Sequence, residues 1–232
     1  MPRPSQFEVA AAHEEVRASY LEGWPVPGSP YDWLIQAELI ASRITHIGYI
    51  PGVILDMGYV YARQAKMNMP PDMANERNHL HVARKTIAAD RVASGALSTT
   101  VFMSITDAAV AFEQMGASNR LWRQFTDLSN ASKDGWNIRL VSDEEIAEVL
   151  PKDASNLIII GDPEKPDAVY EEFVDGAPGP HETWRTDAEA RETATAAYGH
   201  ISSVALDGPT SQTRLEKMTE YYLHLPVKVD TT

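Results

Sequence analysis

The segment AELIASRITHIGYIPGVILDMGYVYARQ, residues 37–64, decides how the first half of the chain is read. The apolar positions Leu34, Ala37, Ala41 and Ile44 follow three- and four-residue steps, so a helix over residues 31–47 is expected. Ile50-Pro51-Gly52 then interrupts the pattern. Proline has no donor N–H and glycine accepts backbone angles closed to other residues, so the pair marks a corner between two helices. The second helix covers roughly residues 54–66 and ends on an aromatic and basic face of Tyr59, Tyr61 and Arg63.

Upstream of the corner, residues 7–22 read as a helix with Ala10, Val16 and Tyr20 inward, ended by Pro25, Pro27, Gly28 and Pro30. Downstream, Met69-Pro70-Pro71-Asp72 stops one helix and opens a polar one over residues 72–93. The β-branched and aromatic run at Thr99 to Met103 reads as a strand, followed by helices over 106–114 and 118–132. Residues 137–142 form a second strand and residues 143–149 a short helix. NLIIIG, residues 156–161, is a buried strand whose antiparallel partner is 168–175, and His181 to Arg185 extends the sheet. Helices over about 186–206 and 210–224 meet at Asp207-Gly208-Pro209. The pattern is α+β: a helical first half packed against a small, mainly antiparallel sheet, with two C-terminal helices. No linker or repeat divides residues 1–232, so one domain is expected.

Asp plus Glu number 33 against 20 Lys plus Arg, a formal net charge of −13. Nucleic-acid affinity comes largely from Lys and Arg neutralising phosphates, so this chain is a poor candidate for binding DNA by itself. Arg120, Arg123, Lys133 and Arg139 read as a solvated face. No run reaches the roughly 18 apolar residues of a membrane span, and the N-terminus lacks the apolar core of a signal peptide; a cytoplasmic protein is expected. The absence of cysteine excludes disulfides, thiolate catalysis and cysteine-held metals. There is no G-x-G-x-x-G, P-loop or G-x-S-x-G, so nucleotide chemistry and acyl transfer through a serine elbow lack support.

Several short pieces recur in a fixed order: Glu22-Gly23-Trp24, Glu38 and Arg43, Pro51-Gly52-Val53-Ile54, Tyr59 (or, with a two-residue slip, Tyr61-Ala62-Arg63), Arg84, Gln124-Phe125 with Leu128, Val169-Tyr170 with Glu172, and Ala205-Leu206 with Pro209 and Ser211. Together they resemble the C-terminal domain of unknown function of actinobacterial antitoxin-like (WhiJ-like) regulators, which reads AE-x-x-S-x-x-R and then PGLLQT-x-x-YAR. That domain normally follows an Xre-type helix-turn-helix, for which this chain has no room. Three departures matter. The family's Gln-Thr after PGLL is Leu55-Asp56, its Gln after the arginine is Lys85, and its DE-x-x-L element is Ile105 to Val110.

The resemblance implies a regulator-like domain and a site. The candidate catalytic residues are Asp56 and Glu172; the candidate ligand-binding residues are Glu38, Arg43, Tyr59, Arg63, Arg84 and Tyr170. The corner, the helix of Asp56 and Tyr59, the helix of Arg84 and the strand of Tyr170 and Glu172 are expected to converge on one pocket. Asp56 acts either as a general base or as a helix N-cap. Strand alternation sends one of Glu171 and Glu172 inward, where it anchors a ligand or joins a salt bridge with Arg43, Arg63 or Arg84. Tyr59, Tyr61, Trp122 and Trp184 furnish either a pocket wall or core. His79 and His81 are two apart on a helix, about 200° round the axis, and cannot share an ion; they read as exposed or capping histidines, and neither metal nor cofactor is expected.

Two functions follow. The first is a stand-alone sensor or regulatory domain that binds a small molecule or a small partner protein, compatible with a homo-oligomer. The second is a cofactor-independent enzyme performing acid/base cyclisation or isomerisation on the same fold. An enclosed pocket with convergent polar groups favours a ligand or substrate; a solid core with an exposed apolar face favours a protein partner.

Overall fold

The computed structural model describes residues 26–66, 68–173 and 182–224. The expected helix at 7–22 and the Glu22-Gly23-Trp24 piece lie outside these residues, as does His181.

Helix α1 spans Pro30–Ile40. Ser29 opens it by accepting a hydrogen bond from the Asp32 N–H at 3.2 Å, with proline at the first position, where no donor is needed. The helix does not continue to residue 47. Ala41 turns extended, and Arg43–Gly48 is strand β1. The stop comes from a distant residue: Arg91 donates to the Glu38 carbonyl, and at 2.7 Å to the Ala41 carbonyl, capping the end of α1. The isoleucines and threonine of Arg43-Ile44-Thr45-His46-Ile47 suit a strand, and every β1 residue after Arg43 is buried.

The remaining elements follow in order. A 3-10 turn at Gly52–Ile54 carries the Pro51 corner into α2 (Met57–Lys66) and α3 (Pro71–Ala93). Then come β2 (Ser98–Met103), α4 (Ile105–Gln114), α5 (Leu121–Lys133), β3 (Asn137–Leu140) and α6 (Asp143–Val149). Strands β4 (Ala154–Asp162), β5 (Lys165–Phe173) and β6 (Glu182–Arg185) precede α7 (Ala188–Val204) and α8 (Gly208–Leu223).

The class is α+β, with a six-stranded mixed sheet in the order β3-β2-β1-β4-β5-β6. The three antiparallel ladders run from β1 through β4 and β5 to β6; β1 to β2 and β2 to β3 are parallel. Period-two alternation sorts the side chains between two layers. Ile44, Val101, Ile138, Ile158 and Tyr170 face a core shared with residues of α1 to α5 and α8. Ile47, Phe102, Leu157, Ile159 and Val169 face Ile146 of α6 and the stripe Ala190, Ala194, Ala197 and Ile201 of α7. The alanines bring α7 close to the sheet.

Candidate functional site

A cavity of about 310 Å³ lies on the first of these faces, between the antiparallel half of the sheet and α1 to α3. That size is at the lower end of small-molecule pockets. Its floor is two rows of the sheet. Register places His46, Ile158 and Tyr170 side by side in one row, and Gly48, Asn156, Glu172 and Glu182 in the next. Gly48 adopts φ +116°, and a Cβ there would overlap the Ser155 carbonyl oxygen. The chain can therefore turn sharply out of β1, bringing Tyr49, Ile50 and Pro51 over the cavity. Asn156 fastens this turn. Its Oδ1 accepts from the Tyr49 N–H at 2.5 Å, and its Nδ2 donates to Glu172 at 2.8 Å.

The wall opposite the floor carries a buried ion pair. Arg84 of α3 donates through Nε and NH2 to both Glu38 oxygens of α1 at 2.5–2.8 Å, and through NH1 to the Tyr31 hydroxyl at 2.5 Å. Burial by itself lowers the affinity of Arg84 for its proton, but the Glu38 carboxylate and the Tyr31 hydroxyl outweigh it and raise the pKa. The neighbours respond. Burial, then the Arg84 charge, push His46 down to about 3. Burial, then Arg84 and Lys85, push His81 down to about 4, with the Leu55 backbone pulling weakly the other way. Burial raises the phenols of Tyr31, Tyr49 and Tyr170, and the charge of Glu172 adds to each. At neutral pH both imidazoles and all three phenols are uncharged.

Among the expected site residues, Glu38, Arg63, Arg84, Tyr170 and Glu172 line this cavity together. Three others do not. Arg43 pairs with Asp162 at 3.3 Å in the half-exposed start of β1. Asp56 is the N-cap of α2: its Oδ1 accepts from the Tyr59 N–H at 3.2 Å and its carboxylate pairs with Arg120, so the capping alternative describes it and not the general base. Tyr59 is core, stacked on Phe112 with ring centroids 4.5 Å apart. None of the three arginines weighed as partners for Glu172 pairs with it; Asn156 does. Glu171 points the other way and accepts from the Thr183 hydroxyl at 2.7 Å. Tyr61 and Trp122 are exposed, and Trp184 packs on Trp33.

Tyr31, His46, Tyr49 and His81 are lining residues that the sequence reading did not single out for this role. Reading 43–48 as helix hid His46 and Tyr49, which the β-branched composition of the segment could have revealed. His79 is exposed, whereas His81 faces the cavity and its buried Nε2 has no hydrogen-bond partner. The Tyr49 hydroxyl is likewise buried without a hydrogen bond of good geometry.

Two other places carry polar clusters. A more open cleft of about 490 Å³ lies beyond Gly48 and is lined by Asp107 and Asp143. On the far layer, Glu145, Glu148 and His200 bring ligand atoms within 4.8 Å of one another, with His200 Nε2 at 2.7 Å from Glu145. Among the described residues, no helix is long and apolar enough to cross a membrane. No family model, curated protein or solved structure matches the chain, so the resemblance to the WhiJ-like domain rests on the residues quoted for it.

Proposed function

We propose that this chain is a regulator-like sensor domain that binds a small organic molecule in the cavity between α1 to α3 and the sheet. The observation that carries the reading is the lining itself: an apolar wall of Leu34, Ile50, Leu55, Leu80 and Ile158 interrupted by uncharged hydrogen-bonding groups with unmet capacity, His81 Nε2 and the Tyr49 hydroxyl among them. A buried polar atom without a partner costs about 1–3 kcal/mol, which a ligand that supplies the missing bond recovers.

The same chemistry speaks against the enzyme alternative. A general base works best with a pKa near the working pH. His46 at about 3 and His81 at about 4 are weak bases and hold no proton to donate at neutral pH. Asp56 is occupied as a cap. The resemblance to antitoxin-like regulators points the same way, toward recognition.

The test fills the cavity. Val60 lines it from α2 and is half-buried, so Val60→Trp should enter the space without breaking the fold. In a thermal-shift screen of metabolite-sized compounds, wild type is expected to gain stability with at least one compound and Val60→Trp to lose that response. Equal responses from both proteins would contradict the proposal.

A further inference from the structure

We propose that the ligand of this cavity is an organic amine: a protonated ammonium head bound at Glu172, on the Glu172–Glu182 side of the floor, carried on an apolar body that fills the space along Leu34, Ile50 and Ile158. This deepens the small-molecule reading and rests on it.

The charges on the lining are unequal. Three carboxylates, Glu38, Glu172 and Glu182, face two guanidinium groups, Arg63 and Arg84. Arg84 and Glu38 cancel through their two-pronged contact, so the strongest buried cation has no charge to offer an anion. What remains is Arg63 against Glu172 and Glu182, which stand directly opposite each other across the β5–β6 ladder. Like charges directly opposed on one sheet face repel, and a cation between them relieves the repulsion. Among the described residues Glu172 makes no ion pair; Asn156 alone donates to it.

The uncharged groups add to this bias. His46 is only 4 % exposed, lies on the cavity floor and receives no hydrogen bond among the described residues. Held neutral beside Arg84, it offers a lone pair and so does His81 Nε2. These acceptors suit a ligand rich in N–H donors, and a primary ammonium carries three. Tyr170 stands two residues before Glu172 on the same face of β5, and Tyr49 is close enough for the Glu172 charge to act on its phenol. Aromatic rings beside a carboxylate favour cations over neutral groups of the same size.

The experiment compares three molecules of nearly equal shape: 2-phenylethylamine, 2-phenylethanol and phenylacetate, titrated into the protein by calorimetry at low salt. The amine is expected to bind most tightly. Glu172→Gln should weaken it by about tenfold or more while leaving the alcohol unchanged, in line with the strength of a hydrogen bond to a charged group. Glu182→Gln provides a second variant should the first fold poorly, and it should weaken the amine in the same direction. If phenylacetate or the alcohol binds as well as the amine, or if neither variant affects the amine, the amine assignment is overturned and the small-molecule reading stands. If none of the three binds and the wider screen is also silent, both fail.

Discussion

Arg84 and Glu38 are a structural unit before they are a binding one. Both side chains are more than nine-tenths buried, so removing one strands the other in the interior. Arg84→Ala is expected to cost about 3–5 kcal/mol by urea denaturation, and Glu38→Leu combined with Arg84→Met to restore much of that loss. A ligand-binding defect in Arg84→Ala alone would thus say little about recognition. His46 gives a cleaner signal through pH. Its pKa is about 3 folded against an unfolded value near 6.5, and His81 behaves alike at about 4. Above pH 6.5 both states carry neutral imidazoles, and the stability is fully present. As pH falls from 6.5 toward 4, the unfolded chain takes up protons that the folded chain refuses, so stability declines. The slope is about 1.4 kcal/mol per pH unit for each histidine. His46→Asn should remove its share of that slope, read as the urea midpoint across pH 7 to 4.5; an unchanged slope would show that His46 is not held neutral.

At the scale of elements, the account turns on β1 and the corner after it. Gly48 sits where a side chain would overlap the Ser155 carbonyl and where φ is positive. Gly48→Ala should therefore destabilise the protein by about 1–3 kcal/mol and loosen the turn that holds Tyr49 over the cavity. Asp56→Ala should cost about 1–2 kcal/mol through loss of the α2 cap, and should leave ligand affinity unchanged, which separates it from Glu172. The sequence reveals where these elements begin better than where they end. Local caps such as Ser29, Ser104 and Ser142 are written beside the helices they open. The end of α1 is enforced by Arg91, some fifty residues on, and nothing near Ile40 announces it. A strand buried on both faces also shows no polar alternation, so its apolar steps were compatible with a helix.

For the molecule as a whole, the charge of −13 and the mixed sheet covered on both faces describe a receptor-like body without a basic groove. Purified protein is expected to give no sequence-selective shift of duplex DNA at nanomolar concentration. Part of the site was legible because Glu38, Arg84, Tyr170 and Glu172 fall on elements whose type the residue pattern identifies, and three-dimensional closure then brings them together. The rest was not. Whether Asp56 faces a cavity or its own helix end, and whether Arg43 points at a ligand or at Asp162, depends on strand register and on partners far along the chain. The cavity is the central claim, and methyl NMR tests it most directly. With isoleucine methyls labelled with carbon-13 and 2-phenylethylamine added, the signals of Ile50 and Ile158 should shift in proportion to occupancy. Those of Ile159 and Ile201, on the opposite layer, should stay in place. Shifts confined to Ile159 and Ile201, or none at saturating amine and with every compound of the screen, would contradict a ligand site between the sheet and α1 to α3.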